Sequence, residues 1–392
     1  YYELYTKFGD VPYTTKVLSI KESMSIARTD RATVIANMLA DLDEVINGNY
    51  LPASYDADNK GRITRWAAMA IKAKIYLFEG NWTQVKNITS TIMTEGGFRL
   101  FGSYAGLFEI ANEYNSEVIL DAQYRPTSRE HQMMYAFLPP SLGGYSQLSP
   151  LQELVDSYIM LDGKTIRETG TSFDESNPYA NRDPRLKATV MYTGNSYTLA
   201  DGTEVVINCE KGEGKDGYGV GSDCSATGYY IKKYWDNTYR ATLYSGLNPI
   251  LIRYADILLM NAEALAELGE LDKTAWDATI KPIRDRAGFT LASAVEFPEG
   301  ASKDKLIEIV RNERRSELAL EGHRHKDIIR WRIADDVLNG WCHGLKTNEV
   351  VGTDNGYVRV ENRAFNANKH YLWPIPQAER DLNGNLVQNP NW

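Results

Sequence analysis

Three features of the 392-residue sequence predict a mostly α-helical fold, with helix pairs in one layer and a loop-and-hairpin part laid over it. The first is a pattern that occurs twice at a constant offset. Trp66, Ala70, Ala73, Leu77, Gly80 and Trp82 fall opposite Ala255, Leu259, Ala262, Ala266, Gly269 and Leu271. Small and apolar residues at that spacing share one helical face, and each pattern ends at a glycine turn. The second is residues 98–250, rich in Gly, Asn, Tyr and Ser and holding only short strand-like runs. The third is that no apolar run approaches 18 residues. The best candidate, residues 257–268, is broken by Asn261, Glu263 and Glu267, so nothing here reads as a bilayer span.

Residues 1–8 read as the end of a helix already under way, with no start signal, and suggest a piece of a longer protein. Residues 31–47 form the first long helix. Residues 63–79 with 82–95, and 253–268 with 272–287, each read as a helix hairpin that Gly80 or Gly269 reverses sharply. These hairpins resemble tetratricopeptide-like units, although the Trp and Pro positions of that repeat are incomplete. Residues 303–322 add another long helix. Short strands are expected at 118–120, 188–192, 204–207 and 228–234, and a second loop-rich insertion at 341–367. Pro374 and Pro376 lack an N–H and hold their preceding residues extended, so residues 371–376 should lie over a surface. Asn383-Gly384 signals a turn, and the apolar area of Trp392 calls for a tied-down end. The segment reads as a clasp. The chain thus divides into a helical part, 1–97, a ligand-facing loop and hairpin part, 98–250, and a second helical part, 251–392.

Composition narrows the function. A hydrophobic content of 43% with 24% charged residues suits a globular chain that folds without staples. The net charge of −9 argues against nucleic acid, which needs clustered Lys and Arg. Arg311, Arg314, Arg315, Arg324, Arg330 and Arg332 do cluster, but Glu313, Glu317, Glu321 and Asp327 lie among them, which favours a structural ion-pair lattice over an anion site. Cys209, Cys224 and Cys342 are too few for a disulfide framework, though Cys209 and Cys224 flank a Gly-rich loop that they could close. His323, His325, Cys342 and His343 match no compact metal motif. Residues 56–61 begin like a calcium loop but carry Lys60 and Ala67 where the ligand pattern fails. No metal or cofactor is expected. No nucleophile elbow, phosphate loop or dinucleotide fingerprint appears.

Tyrosine stands out, with 25 Tyr and 8 Trp. A sugar needs an exposed aromatic face for its C–H face, flanked by Asn, Gln, Arg or Asp for the hydroxyls. Loop aromatics meet this requirement best. Tyr145 and Gln147 lie in Gly143-Gly-Tyr-Ser-Gln147. Trp235, Asn237, Tyr239 and Arg240 lie in Tyr234-Trp-Asp-Asn-Thr-Tyr-Arg240. Trp341 opens the late insertion. Against each stands the plainer reading of a packed core or turn residue.

The stretch Arg311-Asn-Glu-Arg-Arg-Ser-Glu-Leu-Ala-Leu-Glu-Gly-His-Arg-His-Lys-Asp-Ile-Ile-Arg-Trp331 resembles the signature helix of the SusD/RagB-like outer-membrane glycan-binding lipoproteins. Phe8-Gly-Asp-Val-Pro12, Ser149-Pro-Leu-Gln-Glu-Leu-Val-Asp156, Asp162-Gly-Lys164, Arg182-Asp-Pro-Arg-Leu186, residues 252–264 and the ending from His370 to Trp392 follow in family order. His325 stands where the family usually has an aromatic, which weakens a packing role at that position. The resemblance implies a non-catalytic glycan-binding protein on the outer face of the outer membrane, tethered by an N-terminal lipid anchor absent from this sequence. It would cap a SusC-type TonB-dependent transporter and pass oligosaccharides to it, with a glycan site partly built near Tyr145. A tetratricopeptide-like protein-interaction scaffold and a glycoside hydrolase are the other readings.

Overall fold

The computed structural model describes residues 1–238 and 242–392. Its long helices are Arg31–Asn47, Arg65–Phe78, Trp82–Glu95, Tyr254–Leu268, Lys273–Ala287 and Lys303–Glu317. Five open on a side chain that accepts an otherwise unpaired backbone N–H: Asp30, Thr64, Asn81, Asp272 and Ser302. Gly269 ends its helix at φ 73°, a left-handed conformation that suits glycine.

Tyr254–Leu268 is the central helix. Its Ile257, Met260 and Ala264 face Trp66, Ala70, Ala73, Val85 and Ile92 of the first hairpin. Its Ala255, Leu259, Ala262 and Ala266 face Trp276, Ile280 and Val310 of the following helices. The polar residues that interrupt its apolar run are cross-links. Asn261 Nδ2 donates to Thr89 Oγ1 of the first hairpin at 2.9 Å, and Glu263 accepts from Arg330 and from the Trp331 indole. Among the described residues no helix is long and apolar enough to cross a membrane.

The intervening part is built from antiparallel pairs: Val118–Asp121 with Ile250–Arg253, Val190–Met191 with Tyr230–Ile231, and Ser196–Thr198 with Glu204–Val206. Three expectations fail here and further on. Residues 188–189 belong to the helix Pro184–Thr189, because Pro184 stands at its first turn and Asp183 caps it. The signature helix stops at Glu317, five residues early. Residues 341–367 hold a three-stranded sheet, Gly340–Lys346 and Thr353–Asp354 on either side of Tyr357–Arg363. Nor do Cys209 and Cys224 pair. All three thiols are free, burial pushes Cys209 up to about 12, and Cys224 Sγ donates to the Lys215 carbonyl at 3.2 Å. Backbone bonds, Gly212 to Tyr218 and Tyr218 to Cys209, close the loop instead.

The ion-pair lattice is present, and Arg314 and Arg330 of the cluster are joined in it by arginines from farther away. Glu317 accepts from Arg185 at 2.8 Å, from Arg253 at 2.6 Å and from Arg286. Glu313 takes Arg185 and Arg284, and Glu321 takes Arg253 and Lys233. Arg314 bridges Asp256 and Asp327, and Arg330 bridges Glu263 and Asp327. These carboxylates are buried, so each charge depends on its partners for solvation.

The clasp is also present. Trp373 N–H donates to the Lys7 carbonyl at 2.7 Å, and Asn389 Nδ2 donates to the carbonyls of Phe8 and Trp373. Arg28 reaches Phe8, Asp10, Val387 and Asn389, and the Trp392 indole donates to the Leu372 carbonyl. His325 keeps a packing role after all, with its ring edge-on to Trp373 at 6.1 Å.

Candidate functional site

The short helix Met133–Phe137 carries the first aromatic of a surface pair. Gly143 at φ 81° turns the chain back toward that helix, and Gly144 lets the returning strand close on it. A Cβ on Gly144 would lie 2.1 Å from the Leu138 carbonyl oxygen. Tyr145 N–H then donates to the Tyr135 carbonyl at 2.9 Å, and Leu148 N–H to the Ala136 carbonyl at 2.8 Å. The two rings stack with centroids 4.8 Å apart and planes 18° apart. Tyr145 is 42% exposed, and Gln147 beside it is exposed.

A second loop is knitted to this one. His131 and Ser245 exchange backbone hydrogen bonds at 2.9 and 3.0 Å, and Ser245 Oγ donates to Asp236 Oδ2. Asp236 also accepts from the Thr238 N–H, which fixes the turn at Asn237, a half-buried residue. Tyr244 is exposed beside Ser245. Met134, Phe137, Leu138, Trp235 and Leu243 form a common core beneath both loops.

Trp235 itself does not offer a free face. It is buried, its indole N–H donates to the Thr198 carbonyl at 2.9 Å, and its ring meets Tyr197 edge-on. The segment is drawn inward because the neighbouring Lys233 ammonium reaches Glu321, the Ala319 carbonyl and Tyr104. Tyr239 and Arg240 lie outside the described residues. The structure therefore brings together Tyr145 and Gln147 with the Asn237 turn, and it adds Tyr135 and Tyr244. Tyr135 was hidden in the apolar run Met-Met-Tyr-Ala-Phe, which reads as core. Tyr244 sits in Leu-Tyr-Ser-Gly, a turn signal whose ring was open to the same reasoning as Tyr145.

Trp341 stands apart from the tyrosine stack, at the start of the three-stranded sheet. It is half exposed, with the Arg359 guanidinium over its ring at 5.5 Å. It borders a cleft of about 620 Å³ lined by Ser149, Leu154, Arg315, Leu320 and Arg324 among others. His343, two residues on, is clamped by Glu153 at 2.7 Å and Asp354 at 3.0 Å. Burial alone would lower its pKa, but the two carboxylates raise it above the usual imidazole value. Cys342 Sγ is not part of that clamp, and no group of His, Cys, Asp and Glu suited to a metal occurs among the described residues.

Comparison with known proteins matches this architecture. The SusD family model covers residues 107–392, and a model described as "Starch-binding associating with outer membrane" covers residues 1–77. SusD-like protein P25 of Formosa agariphila is 28% identical over 99% of this chain and 69% of its own length. A SusD-like carbohydrate binding protein of Bacteroides fragilis superposes with a TM-score of 0.87 at 30% identity, covering 98% of this chain and 77% of its own. A laminarin-binding SusD-like protein shares the fold at a TM-score of 0.65 and 24% identity, over 100% and 76% of the two chains. With a family model over most of its length and the signature helix at the centre of its ion lattice, the chain belongs to the SusD family.

Proposed function

We propose that this chain is a non-catalytic glycan-binding protein of the outer-membrane surface, which delivers oligosaccharides to a SusC-type TonB-dependent transporter. One observation carries the binding part: the exposed Tyr145 ring, backed by the half-buried Tyr135 and flanked by Gln147, on a hydrogen-bonded loop rather than on a mobile side chain. Two stacked rings present one apolar face, and the amide alongside matches a sugar hydroxyl. The carbohydrate-binding relative from Bacteroides fragilis and the laminarin-binding neighbour support the ligand class. Asn237 and Tyr244 belong to the loop joined to this one through His131 and Ser245, and they are proposed, with Tyr239 and Arg240 from the same stretch of sequence, as the second edge of the site. Trp341 is assigned to a separate subsite. Delivery to a transporter rests on membership of the family.

A glycan array followed by calorimetric titration and product analysis tests this reading. Binding without released sugar is the expected outcome. Absence of binding to any glycan would favour a protein-interaction scaffold, and released sugar would favour a hydrolase.

A further inference from the structure

Most cations of the signature region have a carboxylate. Arg311 has Glu267 at 2.9 Å, Arg314 has Asp256 and Asp327, and Arg330 has Glu263 and Asp327. Arg315 and Arg324 do not, nor does Arg332, which lies outside this cleft over the Tyr371 ring. Among the described residues, Arg315 donates only to the Glu153 backbone carbonyl. Arg324 lies over the Trp331 ring at 5.8 Å, feels the Asp327 charge, and makes no hydrogen bond or ion pair among the described residues. Both are half-buried and both line the cleft beside Trp341. They are close enough that burial first, and then the Arg324 charge, pull Arg315 down to about 10.

The other charges around the cleft are engaged. Glu153 holds His343, Asp327 holds two arginines, and Arg363 holds Glu361. Burial, with help from Lys74, depresses His323 to about 4, so it is neutral at pH 7, and His325 is lowered too. Asp336 on the rim is the one carboxylate there without a cationic partner among the described residues. In the groove on the opposite side of Arg315 and Arg324, Glu267 is taken by Arg311 and Glu308 by Lys305, and Asp304 sits in the first turn of its helix. Two adjacent, partly desolvated guanidiniums repel each other, and an anion placed between them removes that repulsion while filling their donors. The remaining wall is apolar, with Leu154, Leu318, Leu320 and Trp341. A bare inorganic anion has no use for such a wall.

We infer that this cleft is a subsite for an anionic sugar unit, with Arg315 and Arg324 holding its carboxylate or sulfate ester and Trp341 taking its ring. The inference rests on the glycan-binding reading and narrows its ligand class. The tyrosine loop is continuous with the cleft: Gln147 is two residues from Ser149 on the rim, at most about 7 Å of extended backbone. One oligosaccharide can therefore address both surfaces.

The test titrates the full chain with galactose trisaccharides that are neutral, sulfated, or oxidised to uronates. The expected result is that one anionic form binds at least about tenfold more tightly than the neutral one. That preference should weaken with added salt, and it should disappear in Arg315→Gln and in Arg324→Gln while neutral binding persists. Which anionic arm wins identifies carboxylate or sulfate. Trp341→Ala should weaken all anionic binding with no change in thermal melt. Equal binding of neutral and anionic forms overturns the inference, as does a preference that survives both glutamine variants. In either case retained neutral binding that Tyr145→Ala weakens would leave the glycan reading standing. Thermal melts of each variant confirm folding, and if one arginine variant unfolds, the other carries the test.

Discussion

Tyr145 and Trp235 share one loop-built core, yet one ring is open and the other closed, and a sequence-level rule for loop aromatics cannot separate them. What separates them is Lys233, whose ammonium reaches Glu321 some ninety residues later and pulls its neighbour inward. Tyr145→Ala should weaken glycan binding roughly threefold to tenfold and leave the thermal melt unchanged, as expected for one exposed stacking ring. Trp235→Ala should instead cost about 3–5 kcal/mol of stability, read by denaturant unfolding. Glu317 is the residue on which most of the lattice converges. Replacing it by Ala leaves Arg185, Arg253 and Arg286 buried with unmatched charge, and should cost about 3–5 kcal/mol by the same measurement. The lattice also sets an acid limit. Burial alone would raise Glu321, but Arg253 and Lys233 hold it down at about 2. Its stabilising contribution is complete above the unfolded value near 4.5 and is lost as pH falls through 2. Melting temperature should therefore drop across that window, and less steeply in Glu321→Gln. An unchanged slope in that variant would show that other carboxylates dominate.

The elements with a strong repeat were legible, and those set by distant partners were not. The hairpins 65–95 and 254–287 could be located to within two residues because Ala, Gly and apolar side chains recur at helical spacing. The end of the signature helix could not. Its carbonyls at Glu317 and Ala319 turn to Tyr104, Arg253 and Lys233, and Leu320 adopts φ 64°, none of which local propensity reveals. The late sheet was missed although its signal was present. Asn355-Gly356, at φ 52° and 86°, is a tight hairpin turn between Thr353–Asp354 and Tyr357–Arg363. At the tyrosine loop, Gly144→Ala forces a Cβ against the Leu138 carbonyl. It should lower stability by about 1–3 kcal/mol and reduce glycan affinity at least as much as Tyr145→Ala, checked by melts beside calorimetry. His343 ties the sheet to the helix Gln152–Ser157 through Glu153. Its raised pKa gives a contribution that is full below the unfolded value of 6.5 and is lost as pH rises through the raised one. Hydrogen-exchange protection factors in residues 340–346, which remove the intrinsic rise of exchange with pH, should fall across that rise, and His343→Gln should abolish this fall.

At the scale of the whole molecule, long helices pack beside a part built of short antiparallel pairs and turns, and the sequence changes texture at residue 98 and again near 250. The site was less visible than the scaffold. Helical spacing repeats and declares itself, whereas the Tyr135–Tyr145 contact depends on two glycines and two backbone hydrogen bonds that have no period. The transporter partnership belongs to this scale. Full-length protein extracted from native membranes in mild detergent should co-purify with a TonB-dependent outer-membrane transporter, as a permanent interface typically buries more than about 2,000 Å². Recovery of a strictly monomeric species would count heavily against delivery.

The clasp has a consequence in time. Phe8 is hydrogen-bonded to Asn389, and Arg28 to Val387 and Asn389, across sequence separations of 359 to 381 residues. Contacts this distant form late, since the loop they close spans at least 359 residues. A chain emerging from the ribosome or a translocation channel has the partners for residues 8–28 delivered 359 or more residues after them. Until then Arg28 has only the carbonyls of Phe8 and Asp10 to hold, and the cavity that it lines with Val387 and Asn389 lacks one wall. Closure of the clasp thereby waits on residues 387–389, and a chain truncated before residue 387 would keep its helical layer while losing the lock between residues 8–28 and 387–389.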